Sequence, residues 1–295
     1  MYQRLVTRTI IGAELQTSMM MGLPYTVRPN TSLNQKLDIL ANQPHAPDTY
    51  PRAAYLAIGC GAHESIPGAD GKPGRTNVIK HRPTDTGLFQ QVPWVLRLTT
   101  NDLPVEQQAK YGLRKQIEHE GRLYFAYYLK RLDLTNVVTE LQTVAIRNGN
   151  KNIVPWVPNN SNLNPTVPYV SPDQSVPTLV NGDYTTCIAV VTVELTPLDV
   201  TEFINAAIIL FGDETYAVIS EVAYVSGQDR TTVVPDGTGT NINFKEVVSA
   251  QVMQFVSQYV PMAFASQGVT LTLNVGSSEA LLTEVQPSMS PTIIT

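Results

Sequence analysis

Four histidines, His45, His63, His81 and His119, and two cysteines, Cys60 and Cys187, have the widest chemical repertoire in this 295-residue chain. Cys60-x-x-His63, with Glu64 adjacent, comes nearest to metal-ligand spacing. A structural zinc takes four ligands, usually from two such pairs. No second pair stands at a suitable distance, so no metal is expected. Gly59-Cys60-Gly61 and the stretch from Gly68 to Gly74 resemble phosphate loops only in glycine content. The second lacks Walker spacing, and Pro73 follows Lys72 where a helix has to begin; both read as turns. The acid pairs Glu118/Glu120, Asp199/Glu202 and Asp213/Glu214 fall at helix ends or on solvated faces. Glu194 and Glu221 lie inside apolar strands, where a buried carboxylate needs a partner or a raised pKa. A cross-strand ion pair or a subunit contact is preferred there over acid–base catalysis. Tyr124, Tyr127 and Tyr128 have rings that can stack on a sugar or a base, but in an alternating strand such rings serve core and interface. GxSxG, HExxH and the kinase signatures are absent from the sequence. No catalytic, cofactor-binding or metal-binding residue is assigned, and no cofactor is expected.

The elements that would position these residues are mostly strands. AAYLAIGCG (53–61) and WVLRLTT (94–100) read as strands, separated by a turn-rich excursion over 63–87. A helix is predicted from Asp102 to His119: Asp102 as N-terminal oxygen, Pro104 in the first turn, Val105, Ala109, Leu113 and Ile117 on one face, Gly121 as the stop. RLYFAYYLKRLDL (122–134) alternates as a strand, and VVTELQTVAIRNG (137–149) is its expected hairpin partner, ending in an Asn-Gly turn. TTCIAVVTVEL (185–195) is apolar on both faces and should be central. Thr196 and Asp199 make a capping box. Val200, Phe203, Ile204, Ala207, Ile208 and Phe211 then mark a helix over 196–211, closed by Gly212 and expected to pack on strands 185–195 and 215–226. The stretch 242–262 is ambiguous and is read as strand, and VTLTLNV (269–275) alternates strictly.

The fold class that results is α+β, β-predominant: two β-rich lobes, each with a packed helix, joined by a long Pro/Asn-rich extended arm. The boundaries are 1–50 for an N-terminal arm with a short helix near 32–42, 51–150 for the first lobe, 151–182 for the arm, 183–285 for the second lobe and 286–295 for a tail. Apolar residues make up 43% of the chain and charged residues only 15%, well below the ~25% usual for soluble domains. Such a composition suits a β-rich protein covered by partners better than a free enzyme. The two cysteines exclude a disulfide framework and leave a single bridge open. With no secretory signal pattern and no apolar run of membrane length, a product of the reducing cytoplasm, away from the membrane, is expected. Residues 1–150 carry 17 Lys+Arg against 12 Asp+Glu, and residues 151–295 carry 3 against 13. Net charges of +5 and −10 suggest a head-to-tail contact between subunits, and they make nucleic acid a poor partner.

The arm proper starts near Arg147. Residues 147–182 contain six prolines and eight asparagines without apolar periodicity, so helix is forbidden and ladder donors are missing. Ile153, Val154, Trp156, Val157, Leu163, Val167, Tyr169, Val170, Val176, Leu179 and Val180 are too apolar for a solvated tether. An extended segment of this kind suits docking along a neighbouring surface; a long ordered loop packed on its own domain is the alternative.

The segments YLAIGCGAHESI (55–66), QVPWVLRLTTNDLPVEQQAKYGLRK (91–115), YFAYYLKRLDL (124–134) and LTPLDVTEFINAAIILFGDETYAVISEVAYVSGQDR (195–230) resemble virion structural proteins of tailed bacteriophages. The order of elements is similar to that of a baseplate wedge protein of contractile tails. This resemblance spans roughly residues 50–285 and is one of texture and order, without a diagnostic motif. It implies a subunit found in the virion, made in the host cytoplasm, whose partners are other virion proteins and copies of itself in a three-, six- or twelvefold assembly. A neck, collar or capsid-decorating position is the alternative within that class. A carbohydrate-active enzyme, with Glu194, Glu221 and the tyrosines in one cleft, or a host-binding module with an exposed aromatic face, is the alternative outside it.

Overall fold

The computed structural model of the chain describes residues 4–29, 32–41, 44–45, 50–69, 74–163, 179–235, 240–263, 265 and 267–282. In chain order the elements are β1 (Leu5–Arg8), α1 (Ile10–Met21), β2 (Tyr25–Thr26), α2 (Ser32–Lys36), β3 (Pro44–His45), β4 (Arg52–Gly59), β5 (His63–Ile66), β6 (Arg75–Val78), β7 (Gln91–Val92), β8 (Val95–Leu98), α3 (Val105–Gln108), β9 (Tyr111–His119), β10 (Arg122–Arg131), β11 (Thr139–Arg147), β12 (Asn150–Pro155), α4 (Asn160–Leu163), β13 (Leu179–Leu195), α5 (Pro197–Phe211), β14 (Val218–Pro235), β15 (Asn241–Pro261) and β16 (Val269–Leu282). The fold is α+β with strand predominant. Among the described residues no helix is long and apolar enough to cross a membrane.

Two compact units form, and both are discontinuous in sequence. The first joins Met1–Asp133 to Glu194–Thr270, and the second joins Leu134–Val193 to Leu271–Thr295. This differs from the expected division into lobes on either side of an arm. The reason lies in strand pairing. β4 is apolar on both faces and needs neighbours on both edges, and it finds β14 and β10, so that Ile58 stands opposite Val222 and Leu56 opposite Lys130. Strands from the expected second lobe are thereby drawn into the first. The large sheet runs β1-β15-β14-β4-β10-β8, with β9 also on β10 and β7 on β4. Its core includes Tyr55, Ala57, Leu113, Tyr128, Val225, Val252 and Phe255.

The predicted helix over 102–119 is not formed. Only α3 is helical there, and Tyr111–His119 is strand β9, hairpinned to β10 through Glu120 and Gly121 at φ 49° and 72°. A four-residue spacing is also a multiple of two, so Leu113 and Ile117 lie on one face of a strand as readily as on a helix. Gly121 is thus a turn residue of a tight hairpin, not a helix stop. With β9 beside β10, the 137–149 stretch pairs elsewhere: β11 lies between β12 and β13 in the second unit's sheet, of order β12-β11-β13-β16. The Asn148-Gly149 turn is present, at φ 52° and 77°, but it leads into β12. The first residues of the supposed arm are therefore a ladder strand. β13 is central in its sheet, as its two apolar faces require. The helical segment near 32–42 is limited to Ser32–Lys36.

α5 begins with the expected capping box, Thr196 with Asp199, and ends on Gly212 at φ 83°. It packs beside β8, not on β13. Its buried face is Val200, Glu202, Phe203, Ala206 and Ala207, whereas Ile208 is exposed and Ile204 and Phe211 are half-buried. The face is turned because two carboxylates on it are drawn inward by cations of the sheet. α1 had no predicted counterpart. It is capped by Thr9, whose side chain accepts from Gly12 N, and packs through Ile11, Gly12 and Leu15.

Candidate functional site

Of the two strand carboxylates singled out in the sequence, Glu221 is the more consequential. β14 places it in mid-sheet with its side chain fully buried. Its Oε1 accepts from the backbone N–H of Gly61 at 3.0 Å and of Gln90 at 2.8 Å. Its Oε2 accepts from Phe89 N at 2.9 Å and lies 2.8 Å from His81 Nε2. Burial pushes the Glu221 pKa up, but the hydrogen bonds from His81 and from the N–H groups of Gln90, Phe89 and Gly61 outweigh it and hold the carboxyl below its ordinary range. The His81 ring is stacked between Phe89 and Phe255, with centroids 4.0 Å and 3.9 Å away, and its Nδ1 lies 3.2 Å from Asp85. The backbone around it is tied in as well: Thr7 Oγ1 donates to His81 O, and Ile10 N donates to Pro83 O.

The Gly-Cys-Gly of 59–61 now has a physical cause. A Cβ on Gly59 would sit 2.4 Å from Glu221 Oε1, and one on Gly61 would sit 2.8 Å from Gln90 N. Both glycines are needed for close approach to the carboxylate and its loop. That is the signal by which sequence reasoning had access to this site: two glycines at a strand end, an acid inside an apolar strand and a lone histidine in KHRPTDTG. Chemically the arrangement is an anion nest filled by the protein's own carboxylate. It pins the 60–62 and 81–90 segments to the sheet, and the Glu221 carboxylate and the His81 ring are both fully buried.

The remaining residues with chemical potential are used structurally. Burial, then the Glu221 charge, pushes the Cys60 thiol up to about 11, which leaves it protonated and a poor metal ligand. His63 rests edge-on against Tyr259, burial lowers its pKa, and Glu64 is exposed. Among the described residues no group of three His, Cys, Asp or Glu side chains is placed to hold a metal ion. Glu194 is exposed and Glu221 is sealed, and Tyr124, Tyr127 and Tyr128 are buried, so the cleft required by the carbohydrate-active reading is not assembled from these residues. Asp102, expected as a helix cap, instead accepts from Tyr127 Oη at 2.6 Å and from Arg114 Nη2 at 2.5 Å, while the Arg114 guanidinium covers the Phe125 ring at 3.5 Å.

Asp199 and Glu202 are not on a solvated face. Lys130 Nζ donates to Asp199 at 2.8 Å, and Arg97 pairs with Glu202. Arg131 pairs with Asp229 at 2.6 Å. These three pairs join the basic first half of the sequence to the acidic second half inside one unit. Within the first unit the +5 of residues 1–133 and the −7 of residues 194–270 merge to −2. Part of the charge asymmetry seen along the chain is thereby used in pairs inside this unit.

An outward-facing candidate remains on the second unit. Leu141 stands opposite Cys187, and Trp156 N donates to Leu141 O, so Trp156, Leu141 and Cys187 form one row across β12, β11 and β13. Leu141 is 46% exposed, Val154 49% and Trp156 38%. Leu141, Trp156 and Cys187, with Gln142, Thr185, Thr186, Ser277 and Glu279, line an open slot of about 300 Å³. Of the predicted interface residues, Ile153, Val154, Trp156, Val157 and Leu163 are all exposed. Val167, Tyr169, Val170 and Val176 lie outside the described residues; Leu179 opens β13 and Val180 follows it, their side chains likewise outside.

Residues 1–288 match the family of unknown function DUF7208. No curated protein and no solved structure matches the chain.

Proposed function

We propose that this chain, which belongs to the DUF7208 family, is a structural component of a bacteriophage virion, built into the tail and baseplate region as a wedge-like part and acting through protein–protein interfaces. The observation that carries the interface reading is the row Trp156–Leu141–Cys187, with Val154 beside it and Ile153 on the opposite face of β12. Scattered exposed apolar residues are ordinary on monomers, whereas a contiguous patch flanking a slot marks an interaction surface. The buried carboxylate supports the same reading, because Glu221 and His81 are fully buried and serve to hold loops on the sheet. The virion setting rests on the phage-like texture of residues 50–285. Mass spectrometry of purified particles from a phage encoding the chain tests it, with immunogold labelling to place the protein at baseplate, neck or capsid. A protein abundant in infected cells yet absent from washed particles overturns the proposal. Leu141→Asn with Trp156→Ser should leave the purified protein folded and exclude it from particles.

A further inference from the structure

Among the described residues one edge of β12 carries no strand, and that edge has a definable partner. The two-residue turn at Asn148-Gly149 closes on the pair Arg147 and Asn150, and Trp156 N donates to Leu141 O at 2.8 Å. Antiparallel ladders alternate hydrogen-bonded and non-bonded pairs, so Asn150, Asn152 and Val154 face β11. Lys151 and Ile153 turn N–H and C=O outward, and Pro155 turns its C=O outward. Among the described residues no strand pairs with them. Native edges are guarded by short length, lysine and proline. β12 has all three, yet it also presents Ile153 at 54% exposure on one face and Val154 at 49% on the other. A guarded edge that keeps its apolar residues selects a particular strand.

We propose that β12 pairs antiparallel with β12 of a second copy, Ile153 opposite the partner's Ile153. In that register each Ile153 exchanges two hydrogen bonds with its mate, and each Lys151 N–H meets the opposing Pro155 carbonyl. Charge fixes the choice of a second copy. Glu140 and Lys151 are both exposed, and neither has an ion-pair partner among the described residues. Lys151 stands opposite Ile146, six residues along β11 from Glu140, a separation of roughly 20 Å that no side chain spans. The two-fold places the partner's Lys151 opposite Pro155, on the same sheet face as Glu140, with about 12 Å between Cβ atoms. Extended lysine and glutamate side chains bridge that gap, twice per dimer. The two Lys151 are offset by four residues, about 14 Å, beyond the ~8 Å screening length. The inference rests on the reading of this hairpin as an interface but not on the virion assignment.

Sedimentation velocity on the full chain, from micromolar to millimolar protein, tests the pairing. The wild type should pass from monomer to dimer. K151E and E140K should each raise the dimer Kd roughly tenfold, and the double variant K151E/E140K should restore it to within about threefold. I153P removes an outward N–H that β11 does not use and should abolish the dimer. Amide exchange at Lys151 and Ile153 should be fast in the monomer. A wild type that stays monomeric at millimolar concentration overturns the proposal, as does a double swap no better than the single variants. Slow exchange of those two amides in the monomer also overturns it, since the edge is then covered by the same chain, residues 164–178 included. Particle composition is read separately, so either proposal can fail while the other stands.

Discussion

Glu221→Gln should be among the most damaging isosteric substitutions available in this protein. The two carboxylate oxygens accept four hydrogen bonds between them, two at Oε1 from Gly61 N and Gln90 N and two at Oε2 from Phe89 N and His81 Nε2. An amide offers only one acceptor oxygen. Turned toward Gly61 and Gln90, its NH₂ confronts two backbone donors; turned toward Phe89 and His81, it confronts only the Phe89 N–H, because His81 can accept at Nε2 while its Nδ1–H donates to Asp85. In that better orientation one hydrogen bond to a charged acceptor is lost outright, at about 1.5–3 kcal/mol. The expected loss is therefore about 1.5–3 kcal/mol, against a total stability of ~5–15 kcal/mol for a typical domain. Urea unfolding followed by circular dichroism measures it, and amide exchange at Gly61, Phe89 and Gln90 localises it. The pH dependence follows from the sign of the shift. Glu221 has a depressed pKa in the folded state, so its contribution is present above the unfolded value near 4.3 and is lost as pH falls through the folded value. Wild-type stability should decline as the pH drops below about 5, and E221Q should show a shallower decline over the same range. A loss under about 1 kcal/mol, with protection of the three amides unchanged, would refute the reasoning.

Phe203→Ala removes a buried aromatic from α5 and should cost about 3–5 kcal/mol in urea unfolding, whereas Ile208→Ala on the exposed side should change stability by less than about 0.5 kcal/mol. Gly59→Ala should fail to reach native stability, because its Cβ would lie 2.4 Å from Glu221 Oε1, and near-native unfolding would show that the close approach is not obligatory. Elemental analysis of chelator-washed protein should find no stoichiometric zinc, and finding it would reinstate Cys60 and His63 as ligands. Excising residues 155–177 should unfold the second unit instead of cleanly removing an arm: β12 ends beside Gln142, while Tyr184 of β13 pairs with Val144 only after five further residues have run from the hairpin-turn end. A soluble, cooperatively folded deletion would contradict that geometry.

The strands were legible in the sequence wherever alternation or a doubly apolar run was long, as in β4, β10 and β13, β15 was read as strand from an ambiguous stretch, and α5 was legible through its cap and its 3.6-residue stripe. β9 was not, because Leu113 and Ile117 satisfy both periods and only the neighbour decides; β10 was already present as an adjacent strand ready to pair. α1 was hidden because its apolar residues form no clean stripe: Glu14, Gln16, Thr17 and Ser18 interrupt them, and Met19, Met20 and Met21 are exposed beyond its packed face. The acids on α5 were read as solvated because their cations, Arg97 and Lys130, lie far away in sequence. The nest around Glu221 was half visible. The glycines and the strand acid stood out, but nothing local ties His81 to a residue in β14. The β11–β12 hairpin was not legible as such, because the prolines and asparagines of 147–182 point to an extended arm; only the apolar residues Ile153, Val154 and Trp156 stood out there, and they are exposed.

The first unit is assembled from two stretches of chain, Met1–Asp133 and Glu194–Thr270, separated by 60 residues of the second, and this sets a schedule for synthesis. The contact between Gly61 and Glu221 joins residues 160 apart in sequence. At ribosomal rates of ~5–20 residues per second, β4 waits on the order of 10–30 s for β14 to emerge. During that interval β4 can gain β10 on one edge but lacks β14 on the other and the carboxylate that anchors its terminal loop. The β11–β12 hairpin closes within a few residues of leaving the ribosome, well before the large sheet is complete. Folding is therefore expected to be slow by topology, with apolar surface of the nascent first half exposed in the meantime. A circular permutant that brings β14 ahead of β4 should shorten that dependence without altering the final fold.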